Sequence, residues 1–230
     1  MLQLSLVGDT TRAPSKDSRP LPLPLWNLWL AIIPAVGPFI VRRIILLGDD
    51  NYVHWMTIDY LARCLSLIGA LVGFRSGLLA PAHPRTDWPK SLQVFLLLFA
   101  AEYAQQRFGG PLLTHYFRFA ETTAWPAIPD PTLRIADLSI GLLFAVFVEE
   151  LVFRKFLFAV IERWLPQRLP IIVISATTFS LIHFTSGVAD TMVNAFVHGI
   201  LLGIAYWTTR RLSICVASHY LIDFFIFSDH

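Results

Sequence analysis

The stretch Phe147–Phe158, FVEELVFRKFLF, places two adjacent glutamates, an arginine and a lysine within a run of apolar side chains. On a soluble helix these charges would be ordinary, but at the centre of a bilayer each opposes insertion by about 2.5–3.5 kcal/mol. The chain is 55% hydrophobic and 15% charged, with a mean hydropathy of +0.59. Because soluble domains are about 45–50% apolar and about 25% charged, this composition predicts a membrane protein.

The apolar residues are grouped into segments that approach the length of a membrane span, about 20 residues. Seven such segments run over Leu25–Leu47, Tyr52–Phe74, Ser91–Gln106, Ile135–Trp164, Leu169–Phe184, Thr191–Thr208 and Leu212–Phe227. We therefore predict an all-α fold, a polytopic transmembrane helical bundle of about seven spans. In the second segment, Asp59 and Arg63 lie four residues apart, on one helical face where they could pair.

Three regions follow from this division of the chain. Residues 1–24 are polar and rich in proline, serine and threonine, and we interpret them as a disordered cytoplasmic tail. Residues 25–134 hold the amino-terminal helices and their loops, and residues 135–228 hold the last four helices. Basic loop residues favour a multi-pass protein of the cell membrane with a cytoplasmic amino terminus. The net charge of +2 is too small to indicate a nucleic-acid partner, which leaves the lipid bilayer as the first predicted partner.

The last four helices contain several ionisable side chains at predicted lipid depth. Glu150 and Arg154 are one helical turn apart and are predicted to form a structural ion pair. Glu149 lies about 100° around the helix from its neighbour and has no partner in its own helix. A buried carboxylate either takes up a proton or meets a group on another helix, and histidines are the candidates for that group.

The candidate partners of Glu149 lie on two later helices. His183 belongs to the fifth segment, whereas His219 and Asp223 are one turn apart on the seventh. A lone histidine in a membrane helix is usually a hydrogen-bonded packing residue. We assign that role to His198, and we likewise assign no catalytic role to Lys155. Since three helices each contribute ionisable groups, Glu149, His183, His219 and Asp223 are predicted to share a functional site.

Two chemistries fit these four residues. In the first, Glu149 acts as a general base that, aided by His183, removes a proton from water, while His219 and Asp223 stabilise the oxyanion. In the second, Glu149, His183 and His219 bind a metal such as zinc, which activates the water. The metal-free route is preferred, with no cofactor, but the residues permit either.

The motifs in this region resemble those of a known family. The segments EELVFR (with Glu149, Glu150 and Arg154), FSLIH (Phe179, His183) and HYLID (His219, Asp223) resemble the EExxxR, FxxxH and Hxxx(N/D) motifs of the CPBP family, the CAAX proteases and bacteriocin-processing enzymes. The segment FVHGILLG (Phe196, Gly199) resembles that family's glycine-bearing helix. Three motifs in the right order on separate helices make a specific match, which covers roughly Ile135 to Phe227.

The resemblance implies a catalytic core in the last four helices that cleaves a peptide bond in or near the bilayer. It also implies a glutamate base at Glu149, a histidine at His183 and an oxyanion pair at His219 and Asp223. Prenyl-processing members carry asparagine at the last position, so Asp223 suggests a different substrate. The predicted activity is therefore that of a glutamic-type endopeptidase acting near the carboxyl terminus or leader of a membrane-associated peptide or protein.

Non-enzymatic alternatives use the same buried polar cluster. Buried glutamate, histidine and aspartate also form proton pathways in transporters, although many transporters contain repeats and none is visible in this sequence. An immunity or scaffold protein could also keep the helical core without catalysis. The intact motifs favour the protease.

Overall fold

The computed structural model describes residues 26–46, 51–75, 83–109, 112, 130–183 and 189–228. These residues are almost entirely helical, and no strand occurs among them. The predicted all-α fold is therefore confirmed for the described part of the chain. The predicted tail at residues 1–24 lies outside it.

Seven helices account for the described elements. They are α1 (Trp26–Ile45), α2 (Tyr52–Arg75), α3 (Trp88–Ala104, continued by a π-helical turn at Gln105–Gly109), α4 (the consecutive segments Pro131–Ala136, Asp137–Gly141, Leu142–Glu150, Leu151–Phe156 and Leu157–Trp164), α5 (Arg168–Leu181), α6 (Ala189–Thr209) and α7 (Leu212–Ser228). Each overlaps one of the seven apolar segments of the sequence.

Local signals explain where α4 begins and how it continues. Asp130 caps it, because its side chain accepts hydrogen bonds from the backbone N–H groups of Thr132 and Leu133, and Pro131 occupies the first helical position, where its missing N–H is not needed. Beyond the cap, two π-helical segments, Asp137–Gly141 and Leu151–Phe156, interrupt the α-helix. Such segments occur frequently at functional sites, and the second begins directly after the two glutamates.

The helices pack closely in pairs, and glycines permit this at two crossings. A Cβ atom on Gly69 of α2 would lie 2.2 Å from the carbonyl oxygen of Pro34 in α1. A Cβ atom on Gly199 of α6 would lie 3.0 Å from the Cα of Ala176 in α5. Only glycine therefore lets the backbones approach at the α1–α2 crossing, and α5 and α6 also pack tightly at Gly199.

Several charged side chains are buried among the apolar core of the bundle, while many large apolar side chains are exposed. The side chains of Glu102, Glu150 and Arg154 are completely buried. Large apolar side chains such as Leu97 and Ile140 are instead 72% and 76% exposed. Charged residues are almost never fully buried in soluble proteins unless paired, and extended exposed apolar surface marks contact with membrane or partner. This distribution supports a membrane location.

Two of the described helical stretches are long and apolar enough to cross a bilayer by length and composition, Tyr52–Arg75 and Thr191–Thr209. Other apolar stretches, including Arg168–Leu181 and Leu212–Ser228, are shorter. The helical bundle is thus present, whereas the seven-span arrangement and the cytoplasmic amino terminus stay predictions.

Candidate active site

The Glu149 side chain extends from α4 towards α2 and α7 and is almost completely buried. Its Oε1 atom accepts a hydrogen bond of 2.6 Å from Nη1 of Arg63 in α2. Its Oε2 atom lies 3.9 Å from Nε2 of His219 in α7. The two carboxylate oxygens therefore face different neighbours, one an arginine and the other a histidine.

The imidazole of His219 is surrounded by three carboxylates. Its Nδ1 atom is 3.0 Å from Oε1 of Glu150, and its Nε2 atom is 3.3 Å from Oδ2 of Asp223, one helical turn further along α7. An ionised carboxylate can accept hydrogen bonds but cannot donate them. Contact with carboxylates at both ring nitrogens therefore favours the doubly protonated imidazolium. The sequence motif supplied Asp223 as a neighbour but not Glu150, which comes from α4.

Glu150 and Arg154 lie together at the centre of the bundle. Glu150 Oε2 is 3.3 Å from Arg154 Nε, and both side chains are fully buried. Arg154 Nη1 also donates to the Ser175 hydroxyl on α5 at 3.1 Å, and its guanidinium lies 4.9 Å from the centre of the Phe179 ring. Arg154 therefore ties α4 to α5 as well as neutralising Glu150.

His183 lies in the turn that follows α5, where its Nδ1 atom is 2.8 Å from the backbone oxygen of Phe179. The Phe179 ring is 4.5 Å from the His183 ring and 5.9 Å from the His219 ring, measured between centroids. His183 is also close enough to Glu149 to interact with it electrostatically. Glu149, His183, His219 and Asp223 thus occur in one region, with Phe179 packed between the two histidines.

Arg63 is a neighbour of Glu149 that the sequence reasoning missed. The expected pairing with Asp59 is present, with Arg63 Nε 2.7 Å from Asp59 Oδ2. The expectation that histidines supply Glu149 with its partners was incomplete, because the guanidinium of Arg63 also pairs with it at 2.6 Å. Arg63 is one of the few charged residues in an apolar segment, and that signal could have identified it.

His198, interpreted from the sequence as a hydrogen-bonded packing residue, has a partner that the sequence reasoning did not name. Its Nδ1 atom is 3.0 Å from Oε1 of Glu102 in α3, and its ring lies 4.5 Å from the ring of His219. Glu102 also accepts a 2.5 Å hydrogen bond from Ser218 of α7. A second buried acid–histidine pair therefore lies beside the candidate site, and the acidic residue within the third apolar segment was its signal.

The remaining motif residues have packing positions. Gly199 contacts α5 closely, as described above, and Phe196 is half-buried on the same helix, α6. Lys155 is exposed, with its ammonium group 5.3 Å from the centre of the Phe74 ring. None of these three has a described contact with Glu149.

The residues nominated for a metal do not form a ligand set. Among the described residues, no group of three or more histidine, cysteine, aspartate or glutamate side chains has an arrangement that could hold a metal ion. In addition, the Arg63 guanidinium occupies one oxygen of Glu149, and a cation bound there would be repelled by it. Glu149, His183 and His219 as arranged here therefore do not fit zinc.

Comparison with known proteins finds a match for the carboxyl-terminal part of the chain. The family model described as type II CAAX prenyl endopeptidase Rce1-like matches residues 131–225. The match spans α4 to α7 and includes all three motifs, so the predicted resemblance to the CAAX protease family is confirmed over this segment. No curated protein and no solved structure matches the chain.

Proposed function

We propose that the chain is an intramembrane endopeptidase of the glutamic type, which hydrolyses a peptide bond near the carboxyl terminus or leader of a membrane-associated peptide or protein. The family match supports a CAAX-protease-like membrane hydrolase in general. The observation that carries the finer proposal is that Glu149 and His219, from different helices, lie 3.9 Å apart between Oε2 and Nε2. The two atoms are close enough to contact one small reacting group from two sides, and they are not joined to each other by a direct hydrogen bond.

In the proposed reaction, Glu149 Oε2 accepts a proton from a water molecule that His183 helps to orient. The water oxygen forms a bond to the peptide carbonyl carbon, and the carbonyl oxygen becomes an oxyanion. When this intermediate collapses, the carbon–nitrogen bond breaks and Glu149 returns its proton to the leaving nitrogen. General base catalysis of this kind contributes about 10²–10⁴-fold to a rate.

His219 is proposed to stabilise the oxyanion. Its contacts with Glu150 through Nδ1 and Asp223 through Nε2 favour a charged imidazolium, which is a stronger donor than a neutral ring. When substrate binds, the Nε2–H group of His219 turns from the ionised Asp223 to the oxyanion, while Nδ1–H stays with Glu150. This arrangement supports an oxyanion role without requiring Asp223 itself to donate a hydrogen bond.

The test of the base is Glu149→Gln, which keeps the size of the side chain and removes its basicity. Purified protein would be incubated with a farnesylated CAAX peptide and with the peptides encoded beside its gene, and products followed by mass spectrometry. We expect the variant to lose cleavage while keeping the elution profile and melting temperature of a folded protein. Cleavage at the wild-type rate would rule out Glu149 as the base.

The metal-dependent alternative makes a different prediction in the same assay. Since the residues around Glu149 do not fit a metal ion, activity should persist after treatment with a strong chelator. Loss of activity that is restored by added zinc would favour the metalloprotease. A transporter or an immunity protein with this cluster would show no cleavage of any peptide, even with all motif residues intact.

A further inference from the structure

A ladder of buried charges connects the amino-terminal helices with Glu149. Arg42 of α1 pairs with Asp59 of α2 through its Nη1 atom. Asp59 in turn accepts hydrogen bonds from Arg63, and Arg63 donates to Glu149 of α4. All four side chains are buried, so solvent screens these interactions only weakly. Positive and negative groups alternate along the ladder.

The donors of Arg63 are distributed over several acceptors. Nε and Nη2 face the two Asp59 oxygens at 2.7 and 3.3 Å. Nη1 donates both to the backbone oxygen of Ala145, at 3.1 Å, and to Glu149 Oε1, at 2.6 Å. The planar guanidinium is thereby fixed in orientation, and it holds only one oxygen of Glu149.

We propose that Arg63, held by Asp59 and Arg42, is a positioning residue for Glu149 that keeps its carboxylate ionised and directs Oε2 towards His219. This inference rests on the proposed function. It assigns a role in the site to α1 and α2, which lie outside the segment matched by the family model.

The physical need for such a residue follows from burial. A carboxylate removed from water without a charged partner favours its neutral form, and a protonated Glu149 cannot accept a proton from water. Other charged or titratable groups that face Glu149 are Asp59, Arg42, His183 and His219. A histidine can lose its charge near neutral pH, Arg42 is directed at Asp59, and Asp59 has the opposite effect. Arg63 instead combines a permanent positive charge with a short hydrogen bond to Glu149.

Infrared spectroscopy of the full chain in detergent tests the ionisation directly, and needs no substrate. The difference spectrum between the wild type and Glu149→Gln isolates the bands of Glu149, and the same difference is taken in an Arg63→Gln background. The spectra are recorded over a series of pH values. We expect the carboxylate bands to give way to the carboxyl band at a pH about 1–3 units higher in the Arg63→Gln background. The same transition pH in both backgrounds would overturn the proposal.

Cleavage of the peptide substrate gives the second readout. Loss of an opposite charge raises the proton affinity of a carboxyl group by about 1–3 logarithmic units, so the acid limb of the kcat–pH profile should move to higher pH by that amount in Arg63→Gln. At a pH on that limb kcat should fall by up to about 10- to 1000-fold, with little change in KM. Arg63→Lys keeps the positive charge but loses the planar guanidinium with its several N–H donors, so Glu149 should stay ionised while kcat still falls. A wild-type kcat in Arg63→Lys would show that orientation of Glu149 by the guanidinium is not needed.

Tyr60→Phe is the matched control. Tyr60 also joins α2 to α4, but through a 2.5 Å hydrogen bond to Asp137 instead of to Glu149. This variant should leave both the infrared bands and kcat unchanged; an equal loss in Tyr60→Phe would mean that Arg63 acts only by holding the helices together. If Arg63→Gln does not fold, the kcat of Arg63→Lys decides whether Arg63 orients Glu149. Cleavage by Glu149→Gln would reject the proposed function, whereas the infrared comparison would still decide on Arg63.

Discussion

The buried pair of Glu150 and Arg154 gives the sharpest stability prediction. Replacing Arg154 by methionine keeps a long unbranched side chain but leaves the Glu150 carboxylate without its guanidinium. Removing one partner of a buried ion pair costs about 3–5 kcal/mol. At about 2–4 °C per kcal/mol for a chain of 150–250 residues, Arg154→Met should lower the melting temperature by about 6–20 °C.

The double variant Glu150→Gln/Arg154→Met separates charge from packing. With both charges removed, no uncompensated ion remains in the core, and the melting temperature should recover most of the loss. The amide oxygen of the new glutamine side chain can still accept the hydrogen bond from His219 Nδ1. Replacement of a buried ion pair by uncharged residues is often neutral or stabilising, which is the basis of this expectation.

The assay is thermal unfolding in detergent, followed by intrinsic tryptophan fluorescence at a fixed heating rate. Lys155→Met is the matched control, since it removes the neighbouring positive charge at an exposed position whose contact with Phe74 is worth about 0.5–1 kcal/mol. A melting temperature of Arg154→Met within about 2 °C of the control would refute the reasoning. So would a double variant no more stable than Arg154→Met.

Two further predictions concern helix packing and capping. Gly69→Ala would force a Cβ atom against the backbone of Pro34 and should lower the melting temperature. Gly37→Ala, on the facing helix, should not, because its Cβ atom would make only an ordinary 3.7 Å contact with the Ile33 side chain. Equal effects in a thermal unfolding assay would contradict the close crossing. Hydrogen bonds from backbone N–H groups, that of Leu133 first, lower the pKa of Asp130 below its usual 3.8. The ionised cap therefore stabilises the protein at pH values above 3.8, and this stabilisation is lost as the pH falls through the lower pKa of the folded state. Asp130→Ala should lower the melting temperature at pH 7 and have little effect in strong acid. A loss that does not depend on pH would argue against the ionised cap.

Contacts one helical turn apart could be predicted from the sequence. Asp59 with Arg63, Glu150 with Arg154, and His219 with Asp223 are each separated by four residues, and all three pairs are close in the structure. The helical period alone brings such residues together. The seven apolar segments likewise predicted the seven helices, because apolar composition and segment length are local properties of the chain.

The two π-helical segments of α4 were not predictable in this way. The sequence suggested only that its fourth segment was longer than a span requires. An extra residue within a helical turn leaves no clear pattern in hydrophobicity, yet it changes the direction of every side chain beyond it. The segment Leu151–Phe156 therefore rotates the side chains that follow it relative to the two glutamates that precede it. Only the coordinates reveal this rotation.

By itself, the sequence determined the helical class, the motifs with their family resemblance, and the pairing of charges within a single helix. Tertiary structure alone decided which charges meet between helices: Arg63 with Glu149 across 86 residues, and His219 with Glu150 across 69. The physical reason is that such contacts depend on the rotation and depth at which two helices pack. These quantities are set by the interlocking of whole surfaces, including the glycine crossings, and not by the spacing of any one motif.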